Sequence, residues 1–166
     1  MNDEIKNDGA NYRTELLKNG AIAFVPSGNS MWPILKNRKQ SVIAVKKTEK
    51  LRRFDVALYE RDNGAFVLHR VMKSTDYGYV ICGDSQFSLE KVREDQVFGV
   101  MSGFYSGKKF VSCKDEKYAA KVEKWYGRPT LRKIRLKFFY FRLRIKGFIK
   151  RVINKLTGAN KNRADA

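Results

Sequence analysis

Three segments of the chain carry residue types that could support covalent chemistry. Ser30 stands in Pro26-Ser27-Gly28-Asn29-Ser30-Met31-Trp32-Pro33, a polar stretch punctuated by glycine and proline. A serine hydroxyl is a weak nucleophile at neutral pH and needs a base beside it. The chain has a single histidine, His69, in Phe66-Val67-Leu68-His69-Arg70-Val71. Imidazole is the side chain whose ordinary pKa suits the task of a base near neutrality. Asp84 follows in Ile81-Cys82-Gly83-Asp84-Ser85, and a carboxylate can orient an imidazole and support its charge. Each segment alone has a plainer reading. The first is a loop, the second a half-buried histidine satisfied by a backbone carbonyl, the third a turn at a strand end.

The elements that must position these residues are mostly strands. Residues 21–25, 41–45, 55–59, 65–72, 79–82, 96–101 and 104–111 are short apolar or β-branched runs. Turn signals separate several of them: Asp62-Asn63-Gly64, Tyr77-Gly78 and Ser106-Gly107. On a strand, His69 shares a face with Val67 and Val71, while Leu68, Arg70 and Met72 face the other way. The fold expected is mainly β, a compact and mostly antiparallel domain over residues 21–117. Before it, residues 1–20 read as a flexible terminus and a short helix over 12–18, stopped at Asn19-Gly20. Residues 118–166 form a separate C-terminal appendage.

The appendage is set apart by period and charge. Leu131, Ile134, Phe138, Phe141, Ile145, Phe148, Val152 and Leu156 recur every three or four residues. Pro129 marks the start of the expected helix, Gly158 its end, and Gly147 a point of flexure. The whole chain of 166 residues carries a net +18. Residues 1–117 hold 20 basic and 15 acidic side chains, whereas residues 118–166 hold 15 basic and 2 acidic. The charge that seeks a partner is therefore concentrated in a basic amphipathic helix. Phe138, Phe141 and Phe148 supply its apolar face, with Phe139 and Tyr140 near the margin. Arg142 and Arg144 are among its charged residues.

Taken in order, Ser30-Met31-x-Pro33, Asp55-Val56, His69-Arg70-Val71 and Gly83-Asp84 resemble the motifs of signal peptidase I-like serine peptidases. The likeness covers roughly residues 20–105. It is nearest to the branch with a Ser/His pair, since the common bacterial branch has Lys-Arg where this chain has His69-Arg70. The Gly-x-Ser-Met opening at Gly28 is also similar to that of self-cleaving repressors of the LexA type, which share the fold. The resemblance implies Ser30 as nucleophile and His69 as general base. Asp84 is implied as its support, with Asp95 as a second choice. The backbone N–H of Ser30 would be an oxyanion donor, and Gly28, Asn29, Met31 and Pro33 would shape the substrate loop. The chain departs from the family at Gly28, where signal peptidases often place a hydroxyl residue, and at Lys39-Gln40, where they usually have Gly-Asp.

Composition excludes several classes. Cys82 and Cys113 are too few for a disulfide scaffold and lie outside any metal-ligand spacing, so neither a metal nor a cofactor is expected. No run of apolar residues is long enough to span a bilayer, and the polar N-terminus is not a signal peptide. A cytoplasmic protein is expected, peripheral on the inner face of the membrane. Its partners are a peptide or protein substrate and an anionic membrane surface, with nucleic acid the less favoured anion. The competing reading is a non-catalytic β scaffold whose basic helix binds nucleic acid or membrane. A retired enzyme has no need of its only histidine at the base position, which favours the peptidase.

Overall fold

A computed structural model describes residues 12–164 of the chain. The disorder expected for residues 1–10 lies outside the described residues. Helix α1 (Tyr12–Asn19) ends at Gly20, whose positive φ of 74° lets its N–H reach the Leu16 carbonyl at 2.8 Å. Eight strands follow: β1 (Ala21–Phe24), β2 (Gln40–Lys46), β3 (Val56–Glu60), β4 (Phe66–Thr75), β5 (Gly78–Cys82), β6 (Glu90–Arg93), β7 (Val97–Ser106) and β8 (Lys109–Ser112). They form one antiparallel sheet in the order β1-β2-β7-β3-β4-β5-β6, with β8 also on β7. The mainly β, antiparallel fold read from the sequence is what the chain adopts.

The hairpin between β3 and β4 fixes the register that matters for the site. At its turn, the Ala65 N–H donates to Asn63 Oδ1 at 3.1 Å, and Gly64 has a φ of 79°. The register pairs Ala57 with His69 and Tyr59 with Val67. Tyr59 and His69 are thereby diagonal neighbours on one face. That face carries a core cluster built from Leu51, Ala57, Tyr59, Val67, Val71, Tyr79, Ile81, Val92 and Val97. On β4 the ladder shifts between Val71 and Lys73, and Lys73 beyond the shift is exposed.

Four elements differ from the sequence expectation. Strand β6, Glu-Lys-Val-Arg, buries only Val92, too little apolar signal to stand out. Strand β7 runs unbroken through residues 102–103, where a gap was expected, and turns into β8 at the predicted Ser106-Gly107. Gly103 sits at the expected break, and its missing side chain is the space the Phe110 ring occupies. Helix α2 (Glu116–Tyr126) was not expected; Asp115 Oδ1 caps it, accepting from the Lys117 N–H at 2.8 Å. Helix α3 (Pro129–Ala164) runs for 36 residues and passes through both Gly147 and Gly158 without ending. A helical glycine costs only about 1 kcal/mol relative to alanine, too little to stop a long helix.

The chain divides into two compact units after Val122 rather than at residue 117. The first turns of α2 belong to the β body, because Tyr118 lays its ring 6.1 Å from Phe104 and its hydroxyl accepts from Arg70. In the second unit, α3 presents two apolar sides. Leu136 is buried and Phe139, Tyr140 and Leu143 are half-buried, so Phe139 and Tyr140 belong with Leu136 rather than at the margin of the predicted stripe. The stripe itself is solvent-facing: Ile134, Phe138, Phe141, Ile145, Phe148 and Val152 are between 40% and 62% exposed.

Candidate active site

The Ser30 segment folds as tight turns between β1 and β2. Gly28 has a φ of 103°, a conformation that disfavours any side chain, and its N–H donates to Asn37 Oδ1 at 3.1 Å. The Trp32 N–H returns to the Asn29 carbonyl at 3.0 Å, and the Leu35 N–H to that of Met31 at 2.8 Å. Met31, Ile34 and Leu35 are buried and anchor the loop, while Pro33 is half-buried. Ser30 is itself buried and lines a small pocket with Gly28, Met31, Leu35 and Leu68.

Two hydrogen bonds fasten this loop to the turn after β5. The Ser85 N–H donates to the Ser30 carbonyl at 2.7 Å, and Ser85 Oγ donates to the Asn29 carbonyl at 2.8 Å. The approach is close at Gly83, where a Cβ would stand 2.9 Å from the Ser30 carbonyl oxygen. β5 reaches this turn from Cys82, which is paired with Arg70, the residue after His69.

Arg70 and Asp84 form an ion pair with both side chains at 0% exposure. Arg70 Nε and Nη2 donate to the two carboxylate oxygens at 2.7 Å each. Nη1 donates to the Phe54 carbonyl at 2.8 Å and to the Tyr118 hydroxyl at 3.2 Å. Asp84 is thus the partner of Arg70, not the orienting carboxylate of His69. The reason is strand alternation: Arg70 and His69 point to opposite faces, and Asp84 meets the Arg70 side. The second choice, Asp95, is also displaced, since it is exposed and pairs with Arg93.

His69 is 2% exposed. Its Nδ1 lies 3.3 Å from the Tyr59 hydroxyl, which donates to Glu90 Oε2 at 2.8 Å. Glu90 in turn accepts from Arg61 Nε at 2.8 Å and Arg61 Nη2 at 2.7 Å. Nε2 is buried with no hydrogen-bond partner, so it is not bonded to Ser30 Oγ. Burial lowers the imidazole pKa to about 4; the charges of Glu90 and Asp84 oppose that shift and Arg61 adds to it. The ring is therefore neutral through the physiological range. Sequence reasoning missed Tyr59, Arg61 and Glu90. Register from the Asp62-Asn63-Gly64 turn could have placed Tyr59 beside His69, but nothing local announces Glu90.

A neutral buried histidine makes stability depend on pH. Unfolded, the ring takes a proton near pH 6.5; folded, near 4. Between these values the unfolded chain binds the extra proton, so stability rises with pH in that window. The contribution is complete above about pH 6.5 and is lost as pH falls toward 4. At 1.36 kcal/mol per unit it is on the order of 3 kcal/mol. Urea unfolding across pH 4–7 should show this slope, and His69→Gln should flatten it. An unchanged slope in the variant would assign the acid sensitivity elsewhere.

No protein-family model matches the chain, and no curated protein matches it by sequence. Among the described residues, no three His, Cys, Asp or Glu side chains gather as a metal site. Nor, among them, is any helix long and apolar enough to cross a membrane.

Proposed function

We infer that the chain is a serine endopeptidase of the signal peptidase-like type, cutting an extended leader or signal-type peptide through Ser30 and His69. The observation that carries this reading is the state of His69: buried, neutral, and with Nε2 unpartnered. A buried ring nitrogen without a partner costs about 1–3 kcal/mol and calls for a reason. A base held for a proton it has yet to receive is such a reason. Catalytic hydrogen bonds are often unmade before substrate binds, so the absent Ser30–His69 bond is compatible with it. The turn that carries Asp84 holds the Ser30 loop in place through the two bonds from Ser85.

In this reading Ser30 Oγ attacks the scissile carbonyl while His69 Nε2 takes its proton. The Ser30 N–H supports the oxyanion, and the imidazolium then returns the proton to the leaving amine. Water, deprotonated by the same nitrogen, releases the acyl group. An extended peptide would add to the sheet at β1, an edge strand that leads directly into the Ser30 loop. A panel of extended peptides, read by product mass, tests the reaction. For a peptide that is cut, kcat/KM should hold from alkaline pH down through neutrality and fall only near pH 4, the folded His69 value. A rise centred well above neutrality would point to a lysine base instead, Lys73 being the nearest on the strand.

The same reading makes the protein peripheral on the inner face of an anionic membrane, held by α3. Exposure of the phenylalanine stripe favours lipid over nucleic acid, since phosphate contacts require no apolar face. Residues 128–155 hold 11 basic and no acidic residues, and each near-surface charge is worth about 1 kcal/mol on such a membrane. At 3.6 residues per turn, Arg135, Arg142 and Lys146 flank the stripe on one side and Lys137 and Arg144 on the other. Changing Phe138, Phe141 and Phe148 to serine keeps every charge. Sedimentation with phosphatidylglycerol-rich vesicles should then fall at least tenfold. Undiminished sedimentation would mean that the stripe does not insert.

A further inference from the structure

We propose that Tyr59, backed by Glu90 and Arg61, is the positioning residue of the site: it holds neutral His69 as the Nδ1–H tautomer and leaves Nε2 with an open lone pair. The inference rests on the Ser30/His69 reading and adds what makes His69 usable as a base. It follows from proton counting along one hydrogen-bonded chain.

Arg61 can only donate, and it gives two bonds to the Glu90 carboxylate, one to each oxygen. Although burial pushes the Glu90 carboxyl up, the bonds from Arg61 and Tyr59 outweigh it and hold Glu90 below its ordinary range. Glu90 is therefore an acceptor with no proton to give. Tyr59 must donate its one hydroxyl proton to Glu90 Oε2. Burial, with Glu90 beside it, raises the phenol far above its usual pKa, so that proton stays in place.

With its proton committed, Tyr59 Oη can only accept. The atom facing it, 3.3 Å away, is His69 Nδ1, which must then carry the ring's hydrogen. A neutral imidazole has one N–H, so Nε2 has none. The opposite tautomer fails twice. It would set two lone pairs against each other at Nδ1 and Tyr59, and it would bury an N–H at Nε2, where no acceptor stands. The chain Arg61–Glu90–Tyr59–His69 thus does for this histidine what a carboxylate does in a serine triad, with a phenol interposed. Asp84 is free of that duty and serves Arg70.

The chain has one histidine, which gives the test a single imidazole to observe. Two-bond ¹⁵N–¹H correlation spectra of the whole protein at pH 7 should show a protonated Nδ1 and an unprotonated Nε2. Tyr59→Phe keeps the ring and removes the acceptor. It should shift the tautomer balance toward Nε2–H and lower kcat roughly 10–100-fold on a cleaved peptide, with KM changed by less than about threefold. A merely structural role for Tyr59 would not move the tautomer. Nε2–H in the wild-type protein at pH 7 would overturn the proposal, and so would a Tyr59→Phe variant with unaltered tautomer and kcat. The wild-type spectrum needs no variant to fold and no substrate to be known. If it shows the Nδ1–H form while no peptide is ever cut, the peptidase reading fails and the assignment to Tyr59 stands.

Discussion

Ser30→Ala, His69→Ala and the double variant are expected to cleave peptide at one common rate, each slower than wild type by about 10³-fold or more. The equality is the informative part. A nucleophile and its base act in one step, so once either is gone the other has nothing left to contribute. Their losses should not add. If the two residues acted independently, the double variant would be slower than either single one by the product of the two factors. The single variants should fold. Ser30 is small, and its loop is held by main-chain bonds and by the buried Met31, Ile34 and Leu35. At neutral pH, His69→Ala removes a ring that already carries one unsatisfied nitrogen. Initial rates from chromatographic separation of substrate and products check the prediction. Near-wild-type turnover by His69→Ala would remove the base assignment.

Asp84→Ala should destabilise the fold by about 3–5 kcal/mol. The Arg70 guanidinium has 0% exposure and would be left without the carboxylate that accepts two of its bonds. The Phe54 carbonyl and the Tyr118 hydroxyl, which also accept from it, are neutral and cannot balance its charge. Domains are typically stable by only 5–15 kcal/mol, so such a loss removes much of the reserve. Asp84→Asn keeps the shape and one acceptor oxygen and should cost less. Replacing Arg70 and Asp84 together by apolar residues should cost less than Asp84→Ala alone, because no buried charge is then unpaired. Guanidinium unfolding midpoints of the set give the comparison. A change below about 1 kcal/mol for Asp84→Ala would show that the pair is not what holds β4 to the turn after β5.

The loop that carries Ser30 and the strand that carries His69 were legible in the sequence because each announces itself within a few neighbours: Gly and Pro punctuation in one, apolar alternation in the other. The strands bearing β-branched runs were legible for the same local reason. What was not legible depends on pairing between distant segments. Glu90 reaches Tyr59 and Arg61 only because β6 pairs with β5, and β6 carries a single buried side chain. The order of the motifs implies Asp84 as the carboxylate that orients His69, whereas its hydrogen bonds go to Arg70 and only its charge acts on the imidazole. Yet the alternation that sets His69 opposite Arg70 already carried the correction. The aromatic residues of α3 show a similar limit. Periodicity found the stripe at Phe138, Phe141 and Phe148, but it did not separate it from the second side, where Leu136 is buried.

The central claim is that Ser30 and His69 act on one carbonyl. A crystal structure with a peptidyl boronic acid, built on the acyl side of a cleaved peptide, tests it most directly. Boron accepts a serine oxygen as the carbonyl carbon would and mimics the tetrahedral intermediate. The expected result is a bond from Ser30 Oγ to boron, with His69 Nε2 within roughly 2.6–3.2 Å of Ser30 Oγ or of a boronate oxygen. A boronate held at any other nucleophile, or one on Ser30 with Nε2 still without a partner, would contradict it.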